Sequence, residues 1–283
     1  MSKLTREVHA SRVFCLEVIM TESLSETALK LAPWSISKAG LAASCPFAFN
    51  MKYVTFTKGQ VSLGGGIFGI GSALHSVLES HLKGEPLDNI KKIAIDACNY
   101  ERLTTNEVEK VAENLRNVKS FIRRIESFKA KHSIQTSLIE KNFSFGKDFV
   151  PTEYNKPGEI FKGVWDVVMF PAGTDDVIVI DHKSGEMPSD EFEIWNRHGK
   201  QRRAYALGAM SAFPNAKRVR FAIHYIYSEQ IVWAKEVDTI DRIKDVYVPW
   251  YYEYLNGCAA KAMTKQACKN WMCNSCVYRM MCS

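Results

Sequence analysis

The stretch whose reading decides the fold is GVWDVVMFPAGTDDVIVIDHKSG, Gly163–Gly185. Apolar runs flank PAGTDD, Pro171–Asp176, where Pro, Gly, Thr and Asp supply turn chemistry. This reads as two antiparallel strands. If Phe170 pairs with Val177, the register sets Asp166 opposite Asp181. Directly opposed side chains have Cβ atoms roughly 5 Å apart. Lys183, two residues beyond Asp181, shares its face. Two carboxylates and an ammonium then converge at the end of a hairpin that is otherwise mostly apolar. Carboxylate oxygens are hard ligands suited to Mg2+ or Mn2+, and a divalent ion removes the repulsion between them. The lysine can orient a water or balance phosphate charge. A salt-bridge cluster at a strand end is the structural alternative.

Helical patterns lie on both sides. Downstream, EIWNRHGKQRRAYALGAMSAF predicts a helix, with Gln201 and Tyr205 at i and i+4 on one polar face. Upstream, SALHSVLESHL predicts a helix capped by Ser72, after a glycine-rich loop LGGGIFGIG (63–71). It carries His75 and Glu79 on one face. Taken alone, such pairs are more often half-exposed stripes or structural histidines than sites. WSISKAGLAASCPFAFNMKYV predicts a helix capped by Ser35 or Ser37, with Leu41, Cys45 and Phe49 at spacings of four. Residues 88–132 form a charged helical insert, split in two near LTTNE. SLIEKNFSF reads as a further strand, and RVRFAIHYIYSE with QIVWAKEV as a closing strand pair. The tail from Arg242 is helical to Asn256–Gly257. The fold class is α/β, a central mixed sheet flanked by helices. Residues 1–34 are a lead-in, and 35–283 a single domain.

The 283 residues are 46% hydrophobic and 24% charged, enough for a sizeable core. The net charge of +6 permits a polyanionic partner. The first apolar run is broken by Glu17, which excludes a secretory signal. No apolar stretch reaches the length of about eighteen residues that a spanning helix needs. A cytoplasmic protein without a membrane partner is expected. There, the eight cysteines favour metal binding, catalysis or burial over disulfides. Cys273, Cys276 and Cys282 form a C-x2-C-x5-C run in the segment 268–283. Two residues compete as the fourth ligand. Local spacing favours Cys268, which would suit structural zinc. Cys45, in ASCPFAFN, would instead join the two ends of the chain. Cys15, Cys98 and Cys258 read as ordinary cysteines.

The ordered set His75, Asp166, Asp181-x-Lys183 and Gln201-x3-Tyr205, with the cysteines, resembles the PD-(D/E)XK nuclease superfamily in its RecB-like branch. It is similar to CRISPR-associated iron–sulfur exonucleases, AddB-type nucleases and related phage exonucleases, over about residues 35–283. Asp181 stands where glutamate is commoner. The resemblance implies a restriction-endonuclease-like core with an iron–sulfur region at the C-terminus. It implies a metal-dependent DNA exonuclease whose catalytic residues are Asp166, Asp181, Lys183, Gln201 and Tyr205. His75, Asp166 and Asp181 would hold Mg2+ or Mn2+, joined by the carbonyl of His182, whose side chain is expected to be a solvated bystander. Lys183 would activate water, while Gln201 and Tyr205 would position the DNA backbone. Cys45, Cys273, Cys276 and Cys282 would hold a [4Fe-4S] cluster. Glu79 and Glu140 would add outer charge, or lie on a solvated helix face and a strand edge. Arg197, Lys200, Arg202 and Arg203, with His198, would hold phosphates. Trp34 and Trp195 are core residues or platforms for unpaired bases. The implied partner is DNA, as single strands or duplex ends, in a bacterial or phage-infected cell. Homo-oligomeric assembly and a separate helicase, recombination or CRISPR partner are compatible with this reading. Two other classes compete: a catalytically inactive DNA-binding or scaffold module of the same fold, and a zinc-knuckle interaction protein.

Overall fold

The computed structural model describes residues 23–55 and 66–267, with Cys273, Cys276, Tyr278 and Cys282 of the tail. Helices come first: α1 (Glu26–Lys30), α2 (Ile36–Ser44), α3 (Pro46–Asn50), α4 (Gly66–Leu82), α5 (Ile90–Tyr100) and α6 (Thr105–Lys131). Strands β1 (Ile134–Phe145), β2 (Phe161–Pro171) and β3 (Asp176–Lys183) follow. Then α7 (Glu191–Ala212) crosses over to β4 (Arg218–Tyr225), followed by β5 (Gln230–Trp233) and β6 (Asp238–Thr239). The chain continues through α8 (Ile240–Arg242) and a π turn into α9 (Val248–Thr264).

Among the described residues the strands form one mixed sheet in the order β1-β2-β3-β4-β5, with β6 also on β4. β1, β2 and β3 are antiparallel, and β3 and β4 are parallel, as a helical crossover requires. The hairpin register is the one expected: Val167 faces Ile180, Val168 faces Val179 and Met169 faces Ile178. One further step sets Asp166 beside Asp181.

Helices cover both faces, which is why the central strands read as near-continuous apolar runs. Val168, Val177, Val179, Phe221 and Ile223 face a core shared with α2, α7 and α9. Val167, Met169, Ile178, Ile180 and Ala222 face a second core under α4, α5 and α6. The helical insert is thus one of the two layers, anchored by Ile90, Val118, Phe121 and Ile125.

β1 and β2 break this alternation at the site. Ile139 and Val167 belong to the second core. Phe143, Phe145, Phe161 and Trp165 have the same parity yet belong to the first. A regular strand keeps one parity on one face. Both strands therefore turn over at Glu140 and Asp166. Glu140 carries the distortion, with φ of +49°, at a cost of about 1–3 kcal/mol for a residue with a side chain. Below the turnover, the Phe143 ring stacks on Trp165 with centroids 4.2 Å apart. Gly163 and Gly208 leave room for it, since a Cβ at either would meet Phe143 at 2.5 Å.

Several boundaries differ from expectation. The loop expected over 63–71 is helical from Gly66, so Ser72 lies inside α4 rather than capping it; residues 63–65 lie outside the described residues. Tertiary burial of α4 outweighs the low helix propensity of its glycines. The helix expected through Cys45 stops there, because Pro46 cannot continue the hydrogen-bond ladder and starts α3 instead. Ser35 caps α2, accepting from the Lys38 amide. The last helix passes Asn256–Gly257 and ends at Thr264, since Cys258, Ala259 and Ala262 are buried and carry the apolar face onward. Residues ahead of α2 also pack on the core: Ala28 and Trp34 are fully buried. Among the described residues no helix is long and apolar enough to cross a membrane.

Candidate active site

Three elements deliver the carboxylates. The turnover in β1 and β2 brings Glu140 and Asp166 to one place, and β3 adds Asp181. From the other layer, α4 supplies His75, whose Nδ1 lies 3.8 Å from Asp166 Oδ2. His75, Glu140 and Asp166 each offer a ligand atom, all within 4.8 Å of one another. Glu140 therefore stands in the cluster itself, not on a solvated strand edge. What the sequence concealed was its backbone: regular alternation cannot foretell a turnover at one residue.

Asp181 is 2% exposed, and its two oxygens differ. The Gln201 carboxamide donates to its Oδ1 at 2.6 Å and to the Tyr205 hydroxyl at 2.8 Å. Tyr205 itself donates to Asp181 Oδ1 at 3.3 Å. The i, i+4 face of α7 thus closes a triangle on one oxygen. Lys183 Nζ sits 2.6 Å from the other oxygen, Oδ2. That approach is an ion pair off the hydrogen-bond axis, for Oδ2 is buried with no hydrogen-bond partner. A cleft of about 480 Å³ opens over these groups, lined also by Ser35, Ser37 and Tyr154.

The electrostatics record crowding. Burial, then the Asp181 charge, push the Asp166 carboxyl well above the usual range, with Glu140 adding to the shift. Glu140 is pushed up to about 7, by burial first and then by Glu79 and Asp181. Burial holds the His75 imidazole below its ordinary value, despite the pull of Asp181. A neutral imidazole and crowded carboxylates are the donor set a hard divalent cation requires. With the orphaned Asp181 oxygen, these residues fit such an ion.

Other expected residues fall elsewhere. The His182 ring is not solvated: it is buried beside Phe121, and its Nδ1 lies 3.1 Å from Nδ1 of His224. Burial lowers both imidazoles, His224 to about 3. Arg202 is committed inward, donating to Asp238 from Nε at 2.9 Å and Nη2 at 2.7 Å. Arg197 pairs with Glu193 on its own helix. His198 is half-buried against Tyr225 and lowered to about 4, mainly by burial. Lys200 and Arg203 lie over the rings of Tyr254 and Trp250. Trp34 is core, and Trp195 packs against it. Glu79 pairs with Lys83.

No cysteine lines the cleft among the described residues. The Cys282 thiol is raised by burial and then by Cys45, Cys276 and Cys273, which puts the four in one neighbourhood. The Phe47 amide donates to the Gln266 carbonyl at 3.0 Å, and Asn50 donates to the Ala262 carbonyl. The start of α3 is thereby tied to the end of α9. Cys258 and Cys98 are buried, while Cys15 and Cys268 lie outside the described residues.

A mixed sheet that presents carboxylates, a lysine and a helix-borne imidazole to one cleft has the arrangement of a nuclease. The chain belongs to the PD-(D/E)XK nuclease superfamily, whose family model matches residues 33–283. No curated protein matches it significantly. Among solved structures, it is similar to a protein from Eubacterium rectale described as a candidate exonuclease. The TM-score is 0.51, with 13% identity over 90% of this chain and 91% of that one. SSO0001 aligns with TM-score 0.32 and 14% identity, over 82% of this chain and 90% of its own. At 13% identity the likeness to the Eubacterium rectale protein concerns the fold alone.

Proposed function

We propose that this nuclease is a metal-dependent DNA exonuclease that hydrolyses phosphodiester bonds. The observation that carries the reading is the buried, hydrogen-bond-free Oδ2 of Asp181 beside Lys183, with the Asp181 charge felt by each member of the group His75, Glu140 and Asp166. Mg2+ or Mn2+ held by His75, Asp166 and Asp181, with Glu140 beside them, would supply Lewis acidity and an acidified water. Lys183, drawn to Asp181, is placed to orient the attacking water and take up phosphate charge. Gln201 and Tyr205 fix the Asp181 carboxylate and present polar atoms to the DNA backbone. Lys200 and Arg203 offer positive charge beside that face, whereas Arg202 is spent on Asp238.

The proximity of Cys45 to Cys273, Cys276 and Cys282 supports a structural [4Fe-4S] cluster at that end. Soft thiolates suit iron–sulfur or zinc rather than a hard ion. The pathway would be DNA processing in recombination, CRISPR adaptation or phage DNA metabolism. A scaffold that only binds DNA has no need of Asp166, Asp181 and Lys183 together beside His75 in one cleft.

The test is digestion of end-labelled linear DNA, single- and double-stranded, by anaerobically prepared protein. Shortening with Mn2+ or Mg2+ that EDTA abolishes is the expected result. Tight DNA binding with no cleavage under any of these conditions would favour the inactive module.

A further inference from the structure

A groove of about 310 Å³ lies among α2, α7 and α9, outside the catalytic cleft, and is lined by Ala43, Lys200, Trp250, Glu253, Tyr254 and Lys261. We propose that it binds an unpaired nucleotide of the strand being cut, flanking the scissile phosphate. This rests on the nuclease reading and adds a subsite to it.

The chemistry of the lining supports a base with phosphates on either side. Trp250 and Tyr254, one turn apart on α9, stack with centroids 5.2 Å apart and planes 11° from parallel. Each covers one face of the other, and the ring surface left toward the groove is what a base, which has a π face of its own, can lie against. Lys200 lies 4.9 Å from the Tyr254 ring and Arg203 5.2 Å from the Trp250 ring. Lys200 and Lys261 are exposed, and both charges reach the Cys258 thiol at the floor, so they converge on one groove. Lys200 can leave its ring for a phosphate when a base takes the ring. Glu253 on the rim opposes a phosphate inside the groove, which assigns the interior to the base and the lysines to the backbone.

The position fits a strand leaving the cleft. Ser37 lines the cleft and Ala43 lines the groove, on the same helix. Six residues of α-helix span about 9 Å. On α7, Gln201 points at Asp181 while its neighbour Lys200 points at Tyr254. The cleft and the groove thus share two of their walls, α2 and α7, and a single strand engaged at Asp181 has this groove beside it. A paired duplex would keep its bases from the rings, so the groove favours single-stranded DNA or a frayed end.

The experiment uses full-length Lys183→Ala protein with Mn2+. Single-stranded oligonucleotides carry one photoreactive 5-iododeoxyuridine each, stepped along the strand from a labelled end. Adducts are mapped by mass spectrometry after irradiation. At one substitution position the adduct is expected on Trp250 or Tyr254, and Lys261→Glu is expected to reduce it. Trp250→Ala is expected to weaken oligonucleotide binding by about 5- to 150-fold, the range of one stacked base. Lys261→Glu lies on the surface and serves if Trp250→Ala fails to fold. Adducts confined to cleft residues such as Tyr154 would overturn the subsite and leave the nuclease reading standing. Absence of any binding or adduct would overturn both.

Discussion

The main-chain amide of His182 donates to Oδ2 of Asp166 across 2.5 Å. At this point β3 stops pairing with the backbone of β2 and grips its side chain instead. The bond falls where β2 turns over, and it draws Asp166 toward the residue between Asp181 and Lys183. One hydrogen bond thus joins the two halves of the catalytic hairpin.

Glu140 stays protonated up to about pH 7 in the absence of a cation. An ion that binds its carboxylate must displace that proton. Mn2+ affinity, measured by calorimetry, is expected to rise about tenfold or more between pH 6 and pH 8, with proton release at the lower pH. Glu140→Gln should flatten this dependence. A pH-independent affinity would remove Glu140 from the ion's surroundings.

Arg202 is expected to matter for stability and not for DNA. Asp238 is fully buried and accepts from Arg202 and from the Tyr247 hydroxyl at 2.6 Å. Arg202→Ala leaves that charge undercompensated, at a cost of about 3–5 kcal/mol. Urea unfolding should show the loss.

His224 should make the protein sensitive to acid. Its folded pKa of about 3 lies below the ordinary value of 6.5. The unfolded chain therefore binds a proton across that window while the folded chain does not. Stability is complete above pH 6.5 and falls as pH drops toward 3. Between pH 7 and pH 4.5 the loss from this group is on the order of 2 kcal/mol. His224→Phe should lessen the pH slope in denaturant titrations by that amount, whatever its effect at neutral pH.

Cys45→Ser is expected to lower bound iron and to reduce thermal stability of the whole domain, because it cuts a link between distant parts of the chain. Cys268→Ser should leave both unchanged. The reverse outcome, read by iron content and visible absorbance, would transfer the ligand to Cys268 and support a local knuckle.

Much of this site was legible in local sequence. The turn at PAGTDD set the register that places Asp166 by Asp181, and helical spacing placed Gln201 with Tyr205. These follow from periods of two and 3.6 residues. Glu140 read only as outer charge or a strand edge, because the positive φ that brings it into the cluster is imposed by the fold around it, not by its own identity. Arg202 escaped because its partner, Asp238, enters from the short edge strand 36 residues later. His182 read as solvated because nothing nearby in sequence foretells Phe121 and His224 closing over it. Long-range packing decides such positions.

The most direct test is cleavage of end-labelled DNA by the wild-type protein and Lys183→Ala side by side, each with Mn2+ and each shown to be folded by circular dichroism. Lys183 is partly exposed and supports no core, and Mn2+ would offset the Asp181 charge it leaves, so the variant should fold and bind DNA while its cleavage falls by about 10²- to 10⁴-fold. A folded variant that cuts as fast as the wild type would contradict the assignment of this cleft as the hydrolytic site.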